Sequence, residues 1–288
     1  WEYLMKIAVL SGKGGTGKTL VSVNLAASAD NAVYLDCDVE EPNGFLFFNP
    51  QNVIATEIDI KIPYVNQEQC FGCKKCVEFC KFNALAYTNK VLIFEEMCHS
   101  CGGCMLVCPN QAITEKNKII GKIESGNSEQ VTIYTGILNI GEVSGIPIIK
   151  ELLQKDSDNV EIIIIDCPPG SACIVMESIK DADYCILVAE PTLFGCHNLK
   201  MVHELVNVFD KKYGVILNKC VEGVNPAEVY CNENEIKILG KIMFDPELGL
   251  INSQGLIATR ISEKYKNFFR QLLSDIIKEV RHETNVDS

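Results

Sequence analysis

Apolar positions along this chain come in short dense runs parted by polar, glycine-rich turns. Lys6-Ile7-Ala8-Val9-Leu10 is such a run, and after a glycine-rich turn residues 18–29 carry Leu20, Val21, Val23, Leu25 and Ala26 at roughly helical spacing. Strand, loop, helix is the predicted order. Ala32-Val33-Tyr34-Leu35 predicts a second strand closing on Asp36-Cys37-Asp38, and Glu161-Ile162-Ile163-Ile164-Ile165 a third closing on Asp166. Unbroken β-branched runs suit strands buried on both faces. Further strands are expected at 184–189, 213–217 and 236–243, with amphipathic stretches at 198–209 and 261–280. Alternating strands and helices predict an α/β fold with a doubly wound, mainly parallel sheet.

Between Gln67 and Glu115 the pattern changes to cysteine-rich sequence with short elements, the mark of an insertion in a surface loop of the sheet domain. The expected division is a sheet domain from 5–65 and 116–288, interrupted by a small α+β domain over 66–115. Trp1, Glu2, Tyr3 and Leu4 precede Met5 and are expected to be remnant sequence foreign to the native chain.

With 288 residues, 47% of them apolar, a large core is available without disulfides. The net charge of −12, with no dense Lys/Arg run, argues against a nucleic-acid partner. No apolar run reaches the roughly 18 residues of a membrane span, and the start lacks a secretory pattern, so a cytoplasmic protein without a membrane partner is expected. Fifteen cysteines in that setting point to metal ligation or redox chemistry rather than to disulfides.

Ser11-Gly12-Lys13-Gly14-Gly15-Thr16-Gly17-Lys18-Thr19 contains G-x-x-x-x-G-K-[ST] between a predicted strand and a predicted helix. Gly12, Gly14, Gly15, Thr16 and Gly17 would turn backbone N–H groups toward the phosphates of ATP or ADP, Lys18 would reach the β and γ oxygens, and Thr19 would ligate Mg²⁺. The stretch from Lys13 to Thr19 resembles the deviant phosphate loop of the MinD/ParA/Mrp superfamily, which includes the nitrogenase iron protein. That resemblance implies an ATP-dependent homodimer in which Lys13 reaches the nucleotide of the facing subunit, where an added cation offsets charge on the transferred phosphoryl group.

By the same resemblance, Asp38 and Asp166 match the switch aspartates, Asp38 to orient the attacking water and Asp166 to hold Mg²⁺ through water. A loop-solvated carboxylate or a helix cap is the other reading of each. Asn218 resembles the adenine-contacting Asn of the family, with a turn-forming Asn before Lys219 as the alternative.

Cys70-x2-Cys73-x2-Cys76-x3-Cys80 and Cys98-x2-Cys101-x2-Cys104-x3-Cys108-Pro109 repeat the spacing of bacterial two-cluster ferredoxins. That resemblance implies two [4Fe–4S] clusters. Because the fourth cysteine of each ferredoxin run crosses over, one cluster is assigned to Cys70, Cys73, Cys76 and Cys108, the other to Cys98, Cys101, Cys104 and Cys80. Lys81 stands where the first run's proline is expected. Zinc is the competing metal, though four-cysteine zinc sites usually pair two C-x2-C knuckles across a longer loop.

Cys37, Cys167, Cys173, Cys185, Cys196, Cys220 and Cys231 contain no C-x-x-C pair, and isolated cysteines are most often small buried hydrophobes. Cys173 lies seven residues after Asp166, the spacing of the cluster cysteine in the iron protein's switch II, which makes a cluster shared across the dimer conceivable. The C-P-x-C pair of Mrp/ApbC-type carriers has no match.

Two functions follow. The first is an ATPase switch whose clusters serve iron–sulfur protein maturation or ATP-gated electron transfer to a redox or metallocluster client protein. The second is a MinD/ParA-like spatial regulator whose clusters are structural or redox-sensing. The apolar face of 261–280 would be a membrane anchor under the second reading and a core helix under the first.

Overall fold

In the computed structural model residues 4–155 and 160–284 are described, with side chains to Arg281. Trp1, Glu2 and Tyr3 lie outside the described residues, whereas Leu4 packs against the core. In chain order the elements are β1 (Met5–Leu10), α1 (Lys18–Ala26), β2 (Ala32–Asp36), α2 (Gly44–Phe48), β3 (Gln51–Val65), α3 (Lys75–Phe79), β4 (Leu85–Tyr87) and β5 (Val91–Ile93). A single 3-10 turn (Glu95–Met97) leads to α4 (Gly103–Leu106), β6 (Ile113–Ser128), β7 (Val131–Leu138), α5 (Ile146–Leu153), β8 (Ile162–Asp166), α6 (Cys173–Ile179), β9 (Tyr184–Ala189) and α7 (Leu193–Val208). The chain ends with β10 (Lys212–Cys220), α8 (Pro226–Glu233), β11 (Ile238–Met243), α9 (Pro246–Ser253), α10 (Ala258–Ile261) and α11 (Glu263–Thr284).

One nine-stranded sheet runs in the order β11-β10-β9-β1-β8-β2-β7-β6-β3. From β11 to β7 the neighbours are parallel, and the β7-β6 and β6-β3 pairs are antiparallel. The isoleucine run of β8 lies between β1 and β2, with both faces covered, which is why it carries no polar alternation. One face packs α5, α6, α7 and α8, and the other packs α1, α2, α9, α10 and α11.

The antiparallel edge was not among the predicted elements. Within β3, Ile58, Ile60 and Ile62 alternate with Glu57, Asp59 and Lys61, a period of two that places one face inward. Helix boundaries also shift. The helix expected over 18–29 ends at Ala26, the one expected from 198 begins at Leu193, and 261–280 is broken at Ser262. Tyr265, Phe269, Leu272, Leu273, Ile276 and Val280 are buried against the sheet, so the apolar face of α11 is core.

The cysteine-rich segment sits between β3 and β6, at the far end of the ribbon these strands form. A third core holds it: Ala84, Leu85, Val91 and several cysteines pack on Ile62 and Val65 of β3 and Ile113 of β6. The insertion is thus rooted in the same two strands that edge the main sheet.

Candidate functional site

The ends of β1, β2, β8, β9 and β10 bring their loops to one edge of the sheet, where ligands of open α/β folds gather. The loop after β1 ends at Gly17, which has φ 94° and leaves the first amides of α1 without a side-chain cap. A Cβ at Gly17 would stand 2.1 Å from Asn218 Nδ2, so both backbone angle and space require glycine there. Gly14 and Gly15 face open space.

Lys18 is nearly buried and its Nζ donates to Asp166 Oδ1 at 2.6 Å, with Asp38 Oδ2 at 3.8 Å. Burial opposes its charge, but Asp166 and then Asp38 hold its pKa above the ordinary value. Tyr34 OH donates to the second Asp166 oxygen at 2.8 Å, so that carboxylate is satisfied on both sides. Asp36, buried beneath, accepts from the backbone of Asn43 and Gly44 at 3.0 and 2.7 Å. Desolvation, followed by the nearby charge of Asp166, pushes its pKa up. Asp38 is less enclosed, and desolvation raises it to about 6 although Lys18 works the other way. Three carboxylates around one lysine make a site short of positive charge, one that a divalent cation would complete.

Lys13 points away from this cluster. Its Nζ lies 2.8 Å from Glu190 Oε2 and 5.1 Å above the Phe194 ring. Glu190 also accepts from Lys219 Nζ at 2.7 Å, and the same ammonium donates to Gly15 O at 2.7 Å. Desolvation would raise the Glu190 carboxyl, but hydrogen bonds from Lys13 and Lys219 hold it below its usual range. Asn218 Nδ2 donates to Thr16 O at 2.7 Å and its Oδ1 accepts from the Lys219 amide, so it braces the phosphate loop. Lys219 itself takes φ 56°. Thr19 follows Lys18 in the first turn of α1.

Glu190, Lys219, Tyr34 and Asp36 were not singled out as site residues from the sequence. Asp36 ends an apolar strand and Glu190 directly follows one, a signal available there. Tyr34 lies within a strand and carried none.

Seven of the eight cysteines of the two runs fall into two groups. Cys80, Cys98, Cys101 and Cys104 line one cavity of about 670 Å³. Cys76 has Cys108 and Cys70 for neighbours, whose charges add to the burial that raises its thiol. Around Cys98, burial is joined by the charges of Cys101 and Cys80. The Ala112 amide donates to Cys108 Sγ at 3.3 Å. Among the described residues no three His, Cys, Asp or Glu converge on one point as the ligands of a single ion do. The first-named four cysteines share that cavity lining with Glu78, His99, Ser100 and Glu115. Past Lys81, Phe82 stacks on His99 at 3.9 Å and ties the two runs together.

Of the remaining cysteines, Cys37, Cys167, Cys185, Cys196, Cys220 and Cys231 are buried, and Cys173 is exposed at the start of α6. Burial pushes the Cys37 and Cys167 thiols far up, which keeps them inert.

Residues 7–258 match the sequence model of the CobQ/CobB/MinD/ParA nucleotide binding domain. The uncharacterized protein MJ0578 of Methanocaldococcus jannaschii is 33% identical over 281 residues, 93% of this chain and 96% of that one. An iron-sulfur cluster carrier protein of Pyrococcus horikoshii is 53% identical over 65 residues, 20% of this chain and 21% of that protein. In fold, the chain resembles the septum site-determining protein MinD complexed with Mg-ADP from Pyrococcus horikoshii. The TM-score is 0.59 at 19% identity, covering 95% of this chain and 96% of that one.

Proposed function

From a chain that belongs to the CobQ/CobB/MinD/ParA nucleotide-binding domain family, we propose an ATP-hydrolysing dimeric switch coupled to two [4Fe–4S] clusters. It acts in metallocluster maturation or in gated electron transfer to a partner protein.

One observation carries this reading: a continuous seam joins the two centres. The Leu138 amide donates to Val39 O at 2.9 Å, one residue beyond Asp38, and Gly145 lies against the Val39 side chain. In the same loop Glu142 holds Lys118 at 2.8 Å, and Lys118 reaches across to Glu95 O at 3.4 Å, within the insertion. A groove of about 250 Å³ has Cys98, His99 and Ser100 on one wall and Glu142, Val143 and Lys150 on the other. Movement of the Asp38 segment would reach one cluster site through the Leu138–Val39 backbone contact and the Glu142–Lys118 ion pair.

In the proposed cycle, phosphate oxygens compete with Asp166 for Lys18, and the loop amides braced by Asn218 receive the remaining phosphate charge. Thr19 and, through water, Asp166 would hold Mg²⁺, which supplies charge neutralisation between the phosphates. Asp38, with its raised pKa, orients the attacking water. Lys13 leaves Glu190 to reach the facing subunit's nucleotide, so dimerisation and hydrolysis are linked. The eight cysteines would hold the clusters, which would supply one-electron storage.

The test is anaerobic ATPase turnover of reconstituted protein with clusters oxidised and then dithionite-reduced, beside electron paramagnetic resonance spectra with and without ATP. Turnover that depends on cluster redox state, or cluster signals that change with ATP, supports the coupling. Indifference of both removes it and leaves the clusters structural.

A further inference from the structure

The two cysteine runs are internal copies, so the same position can be compared twice. Cys70-Phe71-Gly72-Cys73 aligns with Cys98-His99-Ser100-Cys101, and Gly72 aligns with Ser100. Both adopt left-handed backbone, φ 74° at Gly72 and φ 52° at Ser100. Glycine is the residue that takes this conformation at no steric cost, and the first run uses it. At Gly72 a Cβ would also stand 2.4 Å from Tyr87 OH, so any side chain there would have to displace that ring. The second run carries a serine in a conformation that disfavours it.

The Ser100 hydroxyl does not repay that cost within the protein. Its Oγ is buried and, among the described residues, has no hydrogen-bond partner. A buried hydroxyl left unpaired costs free energy, so an orphan of this kind calls for a partner. Ser100 lines the same cavity as Cys80, Cys98, Cys101 and Cys104, and it also lines the groove that Glu142 and Lys150 line. The Ser100 backbone already hydrogen-bonds Cys98, which leaves the side-chain hydroxyl as an additional donor.

Resting on the two-cluster reading above, we propose that Ser100 Oγ–H donates a hydrogen bond to a sulfur of the cluster held by Cys80, Cys98, Cys101 and Cys104, making it the higher-potential cluster of the pair. The physical reason is charge. Reduction adds one electron and no proton, so the reduced cluster is the more negative, and a donor to sulfur stabilises that form more than the oxidised one. Gly72 offers the first cluster no equivalent donor. The tuned cluster is also the one bordering the groove that leads to the nucleotide-binding half. Ser100 is thus a positioning and tuning residue, not a ligand.

The experiment is an anaerobic redox titration of the reconstituted full chain, followed by electron paramagnetic resonance, for wild type, Ser100→Ala and Ser100→Gly. Glycine suits φ 52°, so that variant removes the hydroxyl without adding backbone strain. Iron and sulfide analysis of the wild type comes first: fewer than eight irons per chain refutes the two-cluster reading itself, independently of Ser100. With eight irons present, both variants are expected to lower the higher of two potentials by about tenfold in the one-electron equilibrium, about 59 mV, and to leave the lower one in place. No shift in either variant, equal shifts of both potentials, or a shift of only the lower potential overturns the proposal. Loss of half the iron in both variants also overturns it, because the residue would then support assembly rather than tune a potential.

Discussion

Lys13 and Glu190 form an ion pair within one chain, Nζ to Oε2 at 2.8 Å, with the Phe194 ring closing over the lysine. A lysine that serves a facing subunit must first leave this partner. The pair is partly exposed and shared with Lys219, so its net strength is modest and a nucleotide can outcompete it. Glu190→Gln is expected to raise the fraction of ATP-dependent dimer at a given protein concentration, measured by light scattering. Lys13→Ala is expected to lower turnover by roughly 100-fold or more, the lower end of what a trans-acting cation supplies. A monomer–dimer equilibrium blind to Glu190→Gln would show that the pair does not restrain Lys13.

Asp38 links activity to stability with opposite signs. Its folded pKa of about 6 stands above the ordinary 3.8. A raised carboxyl contributes stability that is full below the ordinary value and lost as pH rises through the folded one, so without added nucleotide this contribution declines between about pH 4 and pH 6. Asp36, raised by burial and by Asp166, acts in the same direction. Asp38→Asn is expected to raise Tm at pH 7 by about 2–4 °C, with little change at pH 4, while turnover falls. Thermal melts at both pH values decide it; a variant that melts lower at pH 7 contradicts the assignment.

Asn218 braces Thr16 through a buried hydrogen bond, and Gly17 packs directly on its amide. Asn218→Ala leaves the Thr16 carbonyl unpaired and loosens the phosphate loop. Nucleotide affinity should weaken by roughly tenfold, the value of one buried hydrogen bond. Titration calorimetry with ADP reads this directly, and unchanged affinity would make Asn218 dispensable to the loop.

Crossed ligation is testable with paired cysteine variants. If Cys108 serves the same cluster as Cys70, Cys70→Ser with Cys108→Ser damages one cluster and four irons per chain remain. Cys98→Ser with Cys108→Ser then damages both. Iron content and paramagnetic resonance of the two double variants give opposite orders for crossed and uncrossed ligand sets.

The Lys118–Glu142 pair is half of the seam between the centres and is more enclosed than most surface pairs. Glu142→Gln is expected to leave iron content intact and to reduce the effect of ATP on the cluster spectrum. An undiminished ATP response would place the coupling elsewhere.

Much of the sheet was readable because its central strands are buried on both faces. Such strands carry dense apolar runs, and the isoleucines of β8 state their position without reference to anything distant. The edge of β3, β6 and β7 was less readable. One face of β3 meets water, and its apolar positions are only every second residue. The period-two alternation of Ile58, Ile60 and Ile62 was nonetheless there.

At the site, motif spacing alone named the phosphate loop and both cysteine runs, because phosphate cradling and cluster ligation each demand particular residue types at short fixed intervals. Local sequence also decided that the chain alternates strand and helix. Only the tertiary structure brought Glu190 to Lys13, Tyr34 to Asp166 and Glu142 to Lys118, pairs separated by 177, 132 and 24 positions. Those partners lie on different elements, and no local pattern encodes which strand ends the sheet sets side by side. The same holds for Ser100: the sequence shows a serine where its internal copy has glycine, but only the tertiary packing leaves its hydroxyl buried and, among the described residues, unpartnered, in a residue lining the same cavity as four cysteines.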